Sequence, residues 1–227
     1  MALRPTQPLD PRCNETAEAP VLVLSFPGAA VAGPERVRTV AGQLVDARRS
    51  GNRVVGVLSA PEDTTAELVG LAAAISEHPA PREYDMLVSA GPRIAAALCA
   101  MALHDLGQEA ISLSGAQAGI VTDTTHGAAT IVQVRPWRVQ EALARGSIVL
   151  VADAQGVSAD REITTFGPGC TNATAAALAA ALTGSWQVVL DGEPAKGVRL
   201  SVPGPKLDQA PILKQAEPRL SPTRSLA

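Results

Sequence analysis

The sequence predicts an α/β fold in which a parallel or mixed sheet is covered on both faces by helices. Three observations predict it. Short, continuous apolar runs such as Val21–Phe26 and Ile148–Ala152 read as strands buried on both faces, which is how parallel strands read. Longer segments of helical periodicity lie between such runs, so strand and helix alternate along the chain. Finally, 46% of the 227 residues are apolar, which suits one large domain or a domain with a small appendage.

Residues 1–19 are rich in Pro, Thr and Glu, show no periodicity and are expected to be disordered. Val21–Phe26 is the first strand, and Pro27-Gly28 turns the chain. Pro34 at a first helical position starts a helix to about Arg49, with Val37, Val40, Leu44 and Val45 on one face. Gly51-Asn52 ends it, and Arg53–Ser59 is a second strand. Thr64–Ser76 and Arg82–Leu106 read as helical, the latter interrupted at Gly91-Pro92. Short strands follow near Ala110–Leu113, Gly119–Thr122 and Ala129–Val134. Pro136 starts a helix through Ala144, Ile148–Ala152 is a strand, and an Ala-rich helix runs to about Leu182 before a last strand, Gln187–Leu190. The domain is bounded at 20–202, and 203–227 reads as a Pro-rich, loosely ordered tail.

The composition excludes several classes of function. Net charge is −3 and aromatics are 2%, which argues against nucleic acid as a partner. The lysines are Lys196, Lys206 and Lys214, so nearly all basic residues are arginine. Cys13, Cys99 and Cys170 have no framework spacing, which points to a reducing, cytoplasmic location and no metal site. With no signal peptide and no apolar run near 18 residues, neither secretion nor a membrane partner is expected.

The most informative segment is Thr164-Thr165-Phe166-Gly167-Pro168-Gly169-Cys170-Thr171-Asn172-Ala173-Thr174-Ala175. A Gly-rich turn that opens a helix can cradle phosphate, because free backbone N–H groups and the helix dipole face the ligand. Gly167 and Gly169 keep the backbone permissive, and Thr171 or Asn172 is placed to cap the following helix. Pro168, however, removes one N–H donor, and the loop holds no Lys or Arg.

Several segments together resemble the catalytic domain of aspartokinases, in the amino acid kinase superfamily. Leu22–Val31 is similar to the family's first strand and its Lys-Phe/Tyr-Gly-Gly-Thr/Ser-Ser-Val. Arg82-Glu83-Tyr84-Asp85-Met86-Leu87-Val88-Ser89-Ala90-Gly91 resembles Arg-Glu-x-Asp-x-Leu-x-x-x-Gly-Glu. Ser112–Gly119 resembles Thr-Gly-x-Gln-Ala-Gly, and His126-Gly127 the downstream His-Gly. Val149–Val157 resembles the strand preceding Gln-Gly. Residues 164–175 resemble Thr-Thr-Leu-Gly-Arg-Gly-Gly-Ser-Asp-Thr-Thr-Ala. The resemblance covers roughly residues 21–183 and implies an amino acid kinase-like three-layer α/β/α sandwich with a mostly parallel central sheet.

The same resemblance implies departures at the positions that carry charge. Ser25 stands where the family has its phosphate-contacting Lys, and Pro27-Gly28 replaces Gly-Gly. Ala29-Ala30 stands for the Thr/Ser-Ser pair that helps hold aspartate, and Pro92 for a Glu that contacts the amino acid. In the glycine loop Pro168 stands for an Arg that would hold a carboxylate, Cys170 for a Gly, and Asn172 for the Asp near the transferring phosphates. Asp191–Pro194 keeps only a fragment of the nucleotide-binding pattern, and the regulatory domains that usually follow are expected to be absent.

Phosphoryl transfer relies on charge neutralisation, so these exchanges predict that kinase activity is lost and that neither ATP nor magnesium is a cofactor. The expectation is a pocket repurposed for a neutral, partly apolar small molecule in a specialised biosynthetic pathway, with a reaction such as cyclisation, isomerisation, dehydration or hydrolysis. Two alternatives stand beside it: a non-catalytic pseudokinase subunit that binds a ligand or partner enzyme, and a divergent but active aspartate or amino acid kinase. The candidate catalytic residues are Ser25, His126, Cys170, Thr171 and Asn172. The candidate binding residues are Gly28, Ala29, Ala30, Pro92, Arg93, Gly167, Pro168 and Gly169. Cys170 reads either as an activated thiol at a helix start or as a small buried filler, and His126 as structural or as an acid/base. Asp85 and Arg93 read as packing with a local ion pair, and Trp137 and Trp186 as core or interface residues. The small-residue face Ala95–Ala102 suits a tight helix contact, and a homodimer is expected from the family.

Overall fold

The computed structural model describes residues 19–167, 172–190 and 193–194. Its central sheet contains β1 (Val21–Phe26), β2 (Arg53–Leu58), β3 (Ala110–Leu113), β6 (Ile148–Ala152), β9 (Ser185–Leu190) and the short β10 (Glu193–Pro194). The strand order is β10-β9-β1-β2-β6-β3. All neighbours are parallel except β9 and β10. Five strands therefore end on one common edge, where open parallel sheets bind their ligands.

The continuous apolar strands split by the two-residue period of a strand into two faces. Leu22, Leu24 and Phe26 of β1, Val54 and Leu58 of β2, and Ile148 and Leu150 of β6 pack on one side. They meet Val37, Val40, Ala41, Leu44 and Val45 of α1 (Pro34–Arg49) and Ala95, Ala96, Cys99 and Leu103 of α4 (Ala90–Asp105). The small residues of α4 thus serve a tight contact with α1 in the same chain. Val21, Val23, Val55, Val57, Val149 and Val151 face the other side. There they meet Val139 and Leu143 of α5 (Trp137–Ala144) and Ala175 and Leu178 of α6 (Ala173–Ala181). A second sheet closes that side: β4 (Ile120–Thr122), β5 (Ile131–Val134), β7 (Gln155–Ser158) and β8 (Ile163–Thr165), in the order β5-β4-β7-β8.

The three-layer arrangement with a mostly parallel sheet is the one predicted, with three differences. The stretch read as a single helix with a break at Gly91-Pro92 is two helices, α3 (Pro81–Val88) and α4, parted at Ser89. Pro92 lies in the first turn of α4, where a missing N–H leaves no helical bond unmade. The hairpin β7–β8 went unforeseen, because Gln155-Gly156-Val157-Ser158 is short and carries a glycine. Trp137, read as a core or interface residue, is 64% exposed at the start of α5, which excludes the core half of that reading. The side chain of Trp186, residues 1–18 of the expected N-terminal segment and the whole expected tail 203–227 lie outside the described residues. α2 (Glu62–Ile75) buries none of its side chains and lies on the surface beside α3 and α4. The stretch Pro81–Asp105, α3 and α4 together, is long and apolar enough to cross a membrane by length and composition alone. A helix of a protein core passes the same test, and α4 buries Ala95, Ala96, Cys99 and Leu103 against α1 and the sheet.

Candidate functional site

A cleft of about 440 Å³ opens at the carboxyl edge of the central sheet. Ser59, which follows β2, and Asp153, which follows β6, stand on its wall. Tyr84 and Val88 of α3, Ser89, Pro92, Gly127, Thr165 and Gly167 complete most of it. The volume falls in the range of small-molecule sites. No Lys or Arg is among the residues that line it, and its acidic side chain is Asp153.

Asp153 is only 4% exposed. Its Oδ2 accepts from Ser59 Oγ at 2.7 Å and its Oδ1 from the backbone N–H of Ala154 at 2.7 Å. Ala154 has φ 56, a left-handed conformation that a residue with a Cβ adopts only where its surroundings impose it. Its N–H also lies 3.2 Å from Thr174 Oγ1 on α6. Gln155, the next residue, donates from Nε2 to the carbonyl of Ser89 and ties this loop to the α3–α4 junction.

Asp85 is fully buried on α3 and collects donors from two loops. His126 Nδ1 lies 2.7 Å from its Oδ2, the N–H of Gly127 donates to both oxygens, and the Thr165 hydroxyl donates to Oδ1. This network fixes the 126–127 loop and the end of β8 on the cleft wall. Gly167 then passes so close that a Cβ there would lie 2.4 Å from the carbonyl oxygen of Gly127, and its φ is +76. The glycine is required by both.

At the end of β1, Ser25 is buried and donates to Asn172 Oδ1 at 2.7 Å, across 147 residues of sequence. Asn172 was expected to cap α6. It does occupy the N-cap position, but with φ 70 and no side-chain capping bond, because its oxygen is engaged by Ser25. Gly28, Ala29 and Ala30 follow as a single turn of 3₁₀ helix, and a Cβ on Gly28 would lie 2.2 Å from the Ala60 carbonyl oxygen. That contact brings the turn after β1 against the loop after β2.

The site residues expected from sequence are therefore only partly brought together. Pro92 and Gly167 line the cleft; Ser25, Gly28, Ala29, Ala30, Arg93, His126 and Asn172 are not among its lining residues. The expected local ion pair of Asp85 and Arg93 is not formed: Asp85 takes His126, and Arg93 donates to the carbonyl and hydroxyl of Ser89. Arg93 lines a separate pocket of about 210 Å³ with Ser112, Ser114 and Gln117. Pro168, Gly169, Cys170 and Thr171 lie outside the described residues. Sequence reading missed Ser59 and Asp153. Their signal was available: each is the polar residue that directly follows an apolar parallel strand, where ligand contacts concentrate.

Three layers, a shared carboxyl edge and a cleft built from its loops define a doubly covered α/β ligand-binding domain. The chain belongs to the amino acid kinase family, whose model matches residues 20–190. It is 50% identical over 163 residues to an aspartokinase of Mycolicibacterium smegmatis, covering 71% of this chain and 39% of that protein. It superposes on a crystal structure of aspartate kinase from Synechocystis with a TM-score of 0.65 and 38% identity, covering 75% of this chain and 28% of that one. E. coli aspartokinase III, solved with aspartate and ADP, shares the fold at a TM-score of 0.65 and 20% identity, over 75% of this chain and 49% of that one. The chain thus spans well under half the length of the curated relative named here.

These relatives correct two expectations. A site converted to a neutral apolar ligand and a non-kinase reaction is overturned by relatives at about 50% identity that are named aspartokinase. The exclusion of ATP and magnesium falls with it, since a kinase takes its phosphoryl group from a nucleotide and the E. coli structure holds ADP. Nothing in the comparisons supports the pseudokinase or specialised-metabolism readings.

Proposed function

We propose that this chain is an aspartokinase-type phosphotransfer domain that moves the γ-phosphoryl group of ATP to a carboxylate of an amino acid, aspartate first. The observation that carries the reading is the 50% identity over 163 residues with an aspartokinase. The family match over residues 20–190 takes in every residue that lines the cleft.

In this reading the amino acid occupies the cleft beside Ser59 and Asp153, and a carboxylate oxygen attacks the γ-phosphorus in line. One O–P bond forms, the bond to the β,γ-bridging oxygen breaks, and ADP leaves. The chain's own part is to position the two substrates. Gly167 lines the cleft, and the N–H groups at the start of α6 are of the kind that bind phosphate. Ser25 and Asn172 offer neutral polar groups there. Among the described residues no group of three or more His, Cys, Asp or Glu forms a metal cage.

The resemblance sets Ser25, Pro168 and Asn172 where the family has Lys, Arg and Asp. Each missing preorganised group lowers turnover by about 10²–10³. Slow transfer is the consequence. A homodimer and a cytoplasmic location go with this proposal. The test is a coupled assay of ADP release by purified protein with Mg-ATP, with and without aspartate. Aspartate-dependent ADP, with a hydroxylamine-trappable acyl phosphate, is the expected result; release that ignores aspartate, or none over hours at high enzyme, overturns the reading.

A further inference from the structure

We infer that Asp153 selects the ligand of this cleft by holding its cationic nitrogen, so that the site takes an amine-bearing molecule and rejects its amine-free counterpart. The inference rests on the proposed function for the identity of the amino acid, but its geometry stands independently.

A buried carboxylate is costly unless it is paired and hydrogen-bonded. Two such groups stand near the cleft, and they are treated differently. Asp85 is enclosed by His126, Gly127 and Thr165, so its environment is complete without a ligand. Asp153 has two neutral donors, Ser59 Oγ and the Ala154 N–H, one on each oxygen. Among the described residues no Lys, Arg or His forms an ion pair with it. Each oxygen keeps a free acceptor site.

The surroundings point to a cation as the missing partner. Asp153 lines a cleft whose lining residues include no base that would compete for it. Tyr84, on the same wall, offers an aromatic face or a phenolic oxygen, both of which favour an ammonium. The left-handed Ala154 supplies the second fixing bond, so backbone strain is held at the residue that orients the carboxylate. Pro92, also on the wall, brings no charge of its own. A ligand that presents only carboxylates meets Asp153 and no counter-charge; one that presents an ammonium meets its complement.

The experiment is calorimetric titration of the full chain with L-aspartate and with succinate, which lacks the amine, each with and without a non-hydrolysable Mg-ATP analogue. Wild-type protein is expected to prefer aspartate by about tenfold or more, the worth of a charge-assisted hydrogen bond. In Asp153→Asn, which keeps the shape and an acceptor for Ser59, the preference falls to near one, while Asp153→Glu recovers part of it. Melting curves of the variants confirm that they are folded, and affinity for the nucleotide analogue stays within about twofold of wild type, as for a residue away from the phosphates. The inference is overturned by a preference that survives Asp153→Asn, by wild-type protein that does not distinguish aspartate from succinate, or by loss of nucleotide affinity in place of amine selectivity, which would make Asp153 part of the nucleotide or metal machinery. Should the nucleotide analogue fail to bind while the Asp153-dependent preference stands, the phosphotransfer reading falls and the amine site remains.

Discussion

At the end of β1, Ser25 meets Asn172 through one neutral hydrogen bond, whereas on α3 the buried Asp85 gathers His126, Gly127 and Thr165 around a carboxylate. In the proposed reading the two places serve different halves of a two-substrate site. On the side assigned to phosphate the groups are polar but uncharged. On the side of the cleft, two buried carboxylates, Asp85 and Asp153, are held by dedicated donors. If the proposed reading holds, the difference teaches that the carboxylates which shape the cleft keep their donors, while the side that would meet phosphate offers no charge of its own. A pocket can therefore keep its shape and its selectivity while its rate declines, because different residues carry the two properties.

Breaking the charged half is expected to have the largest effect. Asp85→Ala strands the donors of His126, Gly127 and Thr165 and is predicted to lower unfolding free energy by about 3–5 kcal/mol, read from the midpoint of a urea titration. Sharpening the comparison from the other side, Ser25→Lys puts a cation into the neutral half. It is predicted to raise phosphotransfer by about 10²–10³, equivalent to 2.7–4 kcal/mol of transition-state stabilisation, in the ADP-release assay. Gly167→Ala forces a Cβ within 2.4 Å of the Gly127 carbonyl oxygen at a φ of +76. A stability loss of about 2 kcal/mol with weakened ligand binding is the expected outcome.

Two smaller effects probe the core and the neutral pair. Burial beneath the sheet pushes the Cys99 thiol from its ordinary 9.0 up to about 12. The folded state thus disfavours the thiolate, so this contribution is complete below pH 9 and is lost as pH rises toward 12. At pH 10 the loss is about 1.4 kcal/mol, and Cys99→Ala removes that alkaline slope from a denaturation series. Ser25→Ala deletes a single neutral bond and is expected to cost about 1 kcal/mol, less than any change at Asp85.

Much of the architecture was legible in the chain. The runs Val21–Phe26 and Ile148–Ala152 announced two-sided burial, and Pro34 and Gly51 marked the ends of α1 because one fixes a helical φ and the other permits the left-handed exit, at φ 86. The resemblance carried the order of the motifs to the fold. Of the second sheet, β4 and β5 were legible as short strands, whereas the β7–β8 hairpin escaped because its strands are four and three residues long, too short for a period to register. The site was less legible. Asp85 and His126 stand 41 residues apart, and Ser25 and Asn172 stand 147 apart, so their pairing exists only once the sheet has formed. The inference from missing charges to a changed reaction went too far, because it weighed single positions above the identity of the whole domain.

The most direct test of this account is calorimetric titration of the chain with a non-hydrolysable Mg-ATP analogue, in wild type and in Ser25→Lys. The account predicts weak, saturable binding by the wild type and tighter binding by Ser25→Lys, with the aspartate affinity of the two proteins alike. No saturable binding by either folded protein at millimolar analogue would contradict it, because the neutral half of the site would then be no nucleotide site at all.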